Sequence, residues 1–524
     1  MLHCRRSSLI YFVIGVAAAI SCMTYLRIAL TDLDSKTAAG ALNTNTMTKP
    51  VITVGSGLAG LSAAYEALKA GAKVHMLDRA PKPGGNSIKA SSGINGAGTR
   101  FQKERNITGD DSTKFYEDSA RSAGARMLSQ TSALREPERK ALIEMLSSQS
   151  ADAVQWLADE IGVDLTTVAQ LGGHSLARTH RGTTGPPPGA AIVSALLKKL
   201  GADPRFTLTS SADVEALTVS EDGKVNGVKY TVNGETHELQ GPVVFAAGGF
   251  AGDAHGLLAE HRPDLAGMPS TNDARPASHR LLADVGAEFV DMDSVQIHPT
   301  GFVDPKDPTA TYKFLAAEAL RGEGGILLSA EGRRFVNEME RRDVASDAIM
   351  ALPPRAADQG TRQWDITLLL DPGACEATGS HLGFYLFKGL MQKKKVKDLP
   401  PAVIAAVDRY AAAVEAGVDG DFGRSAFGRW RLPPGEANRE EEVAVGIVTP
   451  VTHFTMGGVA FNAKAQVLGK REGDALVPLE GVWAAGEITG GIHGDNRLGG
   501  SSLLECAIFG RIAGVEAAKS LADG

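Results

Sequence analysis

Gly55, Gly57, Gly60 and Asp78 are placed where the diphosphate and ribose of a dinucleotide would be held. The glycines stand in Gly55-Ser56-Gly57-Leu58-Ala59-Gly60, and Asp78 follows Gly60 by 18 positions. In a G-x-G-x-x-G turn the first glycine permits the tight bend, the second lets backbone approach a pyrophosphate, and the third lets a helix lie close to a strand. An acid at the end of the next strand can accept hydrogen bonds from a ribose. A second set, His298, Glu318, Arg321, Arg342, His453 and Arg497, consists of residue types that hold carboxylates or carry protons. Type alone leaves structural alternatives open for these six. His298 precedes a proline and could be a turn histidine, and His453 could be packed at a strand end. Arg321, Arg341 and Arg342 share a stretch with Arg333 and Arg334, and a basic run is commonly a solvated face. Glu318 with Arg321 also fits an ordinary i,i+3 helix pair.

The elements around these residues supply context. Val51–Val54 reads as a short apolar strand, and the glycine turn opens a helix that runs to Ala70. Lys73–Leu77 is a second strand ending on Asp78. Strand, turn, helix, strand and terminal acid are thus in register for one β-α-β unit, with the pyrophosphate on the helix N-terminus, where free N–H groups and the dipole favour an anion. Residues 111–200 read as helical. Phe206–Leu239 alternates apolar and polar residues around Asp222-Gly223 and Asn233-Gly234, the pattern of a hairpin or three-stranded meander. Val243–Ala246 is another buried strand. Residues 292–453 look less regular and richer in charge, as an inserted domain would. Trp483-Ala484-Ala485-Gly486-Glu487 restores the strand-then-glycine pattern, and a helix begins near Ser501. The expected fold class is α/β: a split Rossmann-like domain (49–291 and 454–524) with an inserted α+β capping domain (292–453), after an N-terminal segment and linker (1–48).

Bulk properties exclude several classes. A chain of 524 residues is long enough for more than one domain. A net charge of -7 suggests no nucleic-acid partner. The four cysteines, Cys4, Cys22, Cys375 and Cys506, have neither iron–sulfur nor haem-attachment spacing. No second G-x-G-x-x-G offers a nicotinamide site, so electrons must come from outside the chain. Arg5 and Arg6 precede an apolar run over residues 9–30, which predicts a secretory signal or membrane anchor with the body in the endoplasmic reticulum lumen. Arg5, Arg6 and Arg27 ahead of the first acid, Asp32, also fit a mitochondrial presequence.

Several strings taken jointly resemble the soluble fumarate reductases, within the succinate dehydrogenase/fumarate reductase flavoprotein family. They are Val54-Gly55-Ser56-Gly57-Leu58-Ala59-Gly60, Gly84-Gly85-Asn86-Ser87, Gln296-Ile297-His298-Pro299-Thr300, Glu318-Ala319-Leu320-Arg321-Gly322, Arg342-Asp343, His453-Phe454-Thr455-Met456-Gly457-Gly458 and His493-Gly494-Asp495-Asn496-Arg497-Leu498-Gly499-Gly500. The resemblance implies FAD at the interface of the two domains, with fumarate reduced to succinate beneath the cap. It implies non-covalent FAD, because Asn86 stands where tethered relatives carry histidine. Gly55, Gly57, Gly60 and Asp78 would then serve the ADP half. Asn86, Ser87, Ser92 and Gly93 would line the isoalloxazine, Glu487 would bond the ribityl chain, and the helix opening through Ser501 and Leu503 would face the pyrimidine edge. It assigns the catalytic proton to Arg342, restored through Glu318 and Arg321, and dicarboxylate binding to His298, His453 and Arg497. The donor would be a reduced free flavin or an electron-donor protein. The chain departs from the pattern at Ala274–His279, where many relatives carry Thr-Gly-Asp-Gly, and at Ala317, where some carry Ser or Thr. Another unsaturated acid or a ketosteroid as substrate, or an impaired FAD-binding protein, are the alternative readings.

Overall fold

Val51–Val54 is buried on both faces, as a central strand of a parallel sheet must be. It pairs in parallel with Val74–Asp78 on one side and Val243–Phe245 on the other. The sheet extends through Phe206–Ser210 beyond the first and Ala475–Ala484 beyond the second, still parallel, and ends on the antiparallel strand Gln466–Glu472. Segments more than 200 positions apart therefore share one sheet, and the dinucleotide fold is split. The structure, a computed structural model, describes residues 49–129, 133–355, 360–472 and 475–522. The proposed signal or anchor over residues 9–30 lies outside them. Among the described residues, no helix is long and apolar enough to cross a membrane.

Three readings change. Residues 111–200 are not helical throughout, because Thr179–Arg181 is a short strand between Ile94–Asn95 and Thr167–Ala169 in a small antiparallel sheet. Phe206–Ser210 belongs to the main sheet rather than to the meander, which comprises Asp213–Val219, Val225–Val232 and Glu235–Gln240. As the outermost strand it stays partly exposed, so its alternation looked like that of the meander. Residues 292–453 are more regular than expected. Val295–Phe302, Phe314–Leu315, Ile326–Leu328, Ile366–Leu370 and Glu442–Thr455 form an antiparallel sheet, and Gln392–Lys395 also pairs with Glu442–Thr455. Val295–Phe302 is buried at all eight positions, and its pairing shifts register between His298 and Gly301, which hides the period-2 signal of a half-exposed strand.

The helix Ser501–Ser520 lies against Leu58–Lys69 at very close range. A methyl group on Gly510 would come within 2.5 Å of the Ala59 carbonyl oxygen, and one on Gly514 within 2.1 Å of that of Ala63. The two helices run parallel, so Ser501 lies eight residues, or roughly 12 Å at 1.5 Å per residue, beyond the start of the first helix. Two helix N-termini are thereby set in line, a spacing that suits an elongated dinucleotide.

Candidate active site

The glycine turn differs from position to position. A side chain on Gly55 (φ 102) would strike the Ala246 carbonyl oxygen at 2.3 Å, and one on Gly60 the Gly55 carbonyl oxygen at 2.0 Å. Both are required by the protein's own packing. At Gly57 the nearest atom would be Ser87 Oγ at 3.5 Å, so the space in front of it is left for a ligand. The helix it opens has no acid in its first turn and no side-chain bond from its cap residue. The Leu58 N–H donates to Ser87 Oγ at 3.0 Å. Asp78 is turned toward this loop. Its Oδ2 accepts from the Ser56 N–H at 2.7 Å and from the Ser56 hydroxyl, and its Oδ1 from the Ala80 N–H at 2.7 Å. Three of roughly four acceptor positions of a carboxylate are so used, leaving one for a ribose hydroxyl.

The second helix N-terminus is similar. Gly500, at φ 82, caps Ser501–Ser520 without a side-chain bond, and no acid stands in the first turn. Asn95 fixes it by donating to the Gly499 carbonyl at 2.8 Å and the Ser501 hydroxyl at 3.0 Å. Gly93, at φ 129, is held within 2.4 Å of the His180 carbonyl oxygen if a Cβ is added. Asn86 donates to Asn272 at 2.5 Å, which places Asn272 and the following 274–279 segment beside the region assigned to flavin. Ser92 is partly exposed, Leu503 buried, and the buried Ser91 hydroxyl has no hydrogen-bond partner. Glu487 accepts from the Thr455 N–H at 3.0 Å, and burial pushes its carboxyl up to about 7. Uncapped N-termini, an open glycine cradle and an unpartnered hydroxyl fit a bound dinucleotide.

The six proton-carrying and anion-binding candidates fall together rather than over a solvated face: His298, Glu318, Arg321, Arg342 and Arg497 are buried and His453 is partly exposed. Val295–Phe302 pairs with Glu442–Thr455 so that His298 lies opposite Val451. That register brings the rings of His298 and His453 to 5.2 Å between centroids. Burial and the Arg342 charge hold both imidazoles well below their ordinary value, so they act near pH 7 as neutral hydrogen-bonding groups. His453 Nδ1 lies 2.9 Å from Thr271 Oγ1. Arg342, first residue of the helix Arg342–Met350, donates from Nε at 2.8 Å and from Nη2 at 2.5 Å to one oxygen of Glu318. The other oxygen accepts from the Gly172 N–H at 2.8 Å. Burial alone would raise the Glu318 carboxyl, but the Arg342 and Arg321 charges outweigh it and hold it down at about 2.

Arg321 departs from the expected chain of contacts. It donates to the Glu338 carbonyl at 2.6 Å, and its Nε and Nη2 have no partner. The i,i+3 ion pair with Glu318 is not formed, although Glu318 acts on it electrostatically. A short helix, Glu318–Gly322, buried on all sides leaves the two side chains pointing into different networks.

One residue that sequence reasoning passed over joins the cations. Gln296 Oε1 accepts from Arg342 Nη1 at 2.8 Å and from Arg497 Nη2 at 2.9 Å. Its Nε2 donates to the Arg497 carbonyl at 2.7 Å and to Asn496 Oδ1 at 3.1 Å. The available signal was its position two residues before His298, on the same face of a strand. Arg497 also lies over the Phe454 ring at 4.2 Å, its Nε has no partner, and burial together with Arg342 brings its guanidinium down to about 9. Arg321 and Arg497 each feel the charge of Arg342, and among the described residues the one carboxylate hydrogen-bonded to any of these three buried guanidiniums is Glu318. Such a site is short of negative charge, and an anion with two carboxylates would supply it.

The fold and the site define a flavoprotein: the chain belongs to the FAD binding domain family, whose profile matches residues 50–503, and FAD is its cofactor. It is 42% identical over 491 residues to fumarate reductase 1 of Saccharomyces cerevisiae, covering 88% of this chain and 97% of that protein. It is 39% identical over 489 residues to fumarate reductase of Schizosaccharomyces pombe, covering 90% and 89%. Among solved structures, the open conformation of a flavocytochrome c3 fumarate reductase superposes with a TM-score of 0.68 at 29% identity, over 94% of this chain and 81% of that one.

Proposed function

We propose that this protein reduces fumarate to succinate with FAD. The observation that carries the reading is the convergence of Arg342 and Arg497 on one Gln296 oxygen beside the paired imidazoles of His298 and His453. Bound FAD supplies hydride from N5. Arg497 and His453 hold one substrate carboxylate, and His298 helps hold the other. The buried arginines fix a dianion more strongly than exposed ones, since little water competes. Arg342 gives its proton to the carbon that hydride does not reach, drawn by the negative charge developing on the substrate. Glu318 is bonded to Arg342 through two nitrogens; once Arg342 has given up its proton, the charge that held Glu318 low is gone, so Glu318 takes up a proton from solvent and passes it back, while Arg321 acts on Glu318 through its field rather than by direct contact. Neutral histidines bind without adding repulsion between neighbouring cations.

Electrons come from a reduced free flavin or a donor protein, because the cysteine spacing offers no relay. Anaerobic reoxidation of the dithionite-reduced protein by a panel of unsaturated acids tests the reading. Fumarate should reoxidise the flavin fastest. Rapid reoxidation by a ketosteroid substrate, or by no acid at all, would overturn it.

A further inference from the structure

Four aromatic side chains form a row on the outside of the capping segment. Tyr312 packs on Phe314 at 5.7 Å between ring centroids, and Phe314 on Phe384 at 6.2 Å. Phe387 follows Phe384 by three positions on the helix Gly379–Lys388 and therefore shares its face. Phe384 is 42% exposed and Phe387 67%, which is unusual for rings of this size with a core available to them. One cation lies over the middle of the row and another at its Tyr312 end. Lys388 Nζ lies 5.5 Å from the centroid of Phe314 and 5.9 Å from that of Phe384, and Lys89 Nζ lies 5.3 Å from that of Tyr312.

The row borders the wall assigned to the bound cofactor. Lys89 closes the short helix Ser87–Lys89 that follows Asn86. His381, on the same helix as Phe384, has its Nε2 2.7 Å from the Ser91 carbonyl oxygen. Lys89 is paired with Asp273 at 2.9 Å, which leaves Lys388 as the cation open to a ligand, and an exposed aromatic strip with an ammonium group beside it suits a flat conjugated ring system carrying an anionic tail.

We propose that this strip is the docking site for the external electron carrier, a reduced flavin mononucleotide whose ring system stacks on Phe384 and Phe387 and whose phosphate meets Lys388. The proposal rests on the flavin-donor reading above and assigns it a place. In the exchange the docked dihydroflavin gives up two electrons and two protons and leaves oxidised, while the bound FAD gains the same two electrons and two protons.

The test uses the FAD-loaded protein. Oxidised FMN is titrated against it and binding is read from quenching of FMN fluorescence, with riboflavin as the phosphate-free control. The double variant Phe384→Ala/Phe387→Ala should weaken FMN and riboflavin binding about tenfold or more, the scale of a lost stacking platform. Lys388→Glu should weaken FMN about fivefold and leave riboflavin unchanged, as for a lost charge-assisted contact with phosphate. With reduced FMN as donor, the double variant should raise the KM for FMN and leave the KM for fumarate and the viologen-driven turnover unchanged. FMN binding equal in wild type and double variant, or no FMN binding by the wild type, would overturn the assignment, as would an acidic donor protein that reduces both forms equally. If fumarate fails to reoxidise the flavin while FMN still docks on this strip, the substrate reading falls and the docking site stands.

Discussion

Replacing Gln296 with leucine separates positioning of the arginines from their charge. Gln296 is buried, and its single Oε1 accepts from Arg342 at 2.8 Å and Arg497 at 2.9 Å. Hydrogen bonds to charged groups contribute about 1.5–3 kcal/mol each. Leucine keeps the volume, removes both bonds, and frees two like charges to move apart. If about 3 kcal/mol of that positioning is felt only in the transition state, turnover falls by roughly 150-fold. Gln296→Glu does something different. It adds a carboxylate between the two guanidiniums, so it competes with the substrate's own carboxylate and raises the KM for fumarate more than it lowers kcat. The assay is fumarate-dependent oxidation of reduced viologen, with the FAD spectrum and thermal unfolding recorded to show that each variant is folded and loaded. If Gln296→Leu keeps turnover within about threefold of wild type with full FAD content, the two arginines are positioned by something else and the argument fails.

Arg342→Ala should keep the FAD spectrum and lower fumarate turnover by about two to four orders of magnitude, whereas Arg497→Ala should raise KM as well; stopped-flow hydride transfer and steady-state kinetics distinguish the two. Acid precipitation should release the flavin to the supernatant, since Asn86 bonds Asn272 and offers no tether; fluorescence retained on the denatured band would contradict this. Glu487 has a folded value near 7 against an ordinary 4.5. Because that value is raised, its contribution to stability is fully present below pH 4.5 and is lost as pH rises through 7; FAD-free protein should therefore lose thermal stability over that window relative to Glu487→Gln, and parallel profiles would refute it. Asn106-Ile107-Thr108 is a glycosylation sequon with an exposed asparagine, so lumenal targeting predicts a glycosidase-sensitive mass shift, while import into isolated mitochondria with loss of the leader would favour the rival location.

The β-α-β unit at Val51–Asp78 was legible because every signal in it is local: an apolar run, a glycine triplet at fixed spacing and an acid at the strand end. The capping sheet was not, because Val295–Phe302 is covered on both faces and carries no alternation to read. Phe206–Ser210 was assigned to its sequence neighbours because pairing with Val74–Asp78 joins segments more than 120 positions apart, and no local pattern records such a partner.

For the site, sequence by itself determined the residue types and the spacing at which a dinucleotide turn can form, and motif strings were enough to nominate His298, Glu318, Arg342, His453 and Arg497. Tertiary structure decided which of these touch. It paired Glu318 with Arg342 and drew Arg321 to the Glu338 carbonyl. It also gave Gln296 a place between two cations. Side-chain partners are chosen by the packing of strands and helices remote in the chain, and burial turns those choices into large electrostatic effects because water is no longer there to screen them.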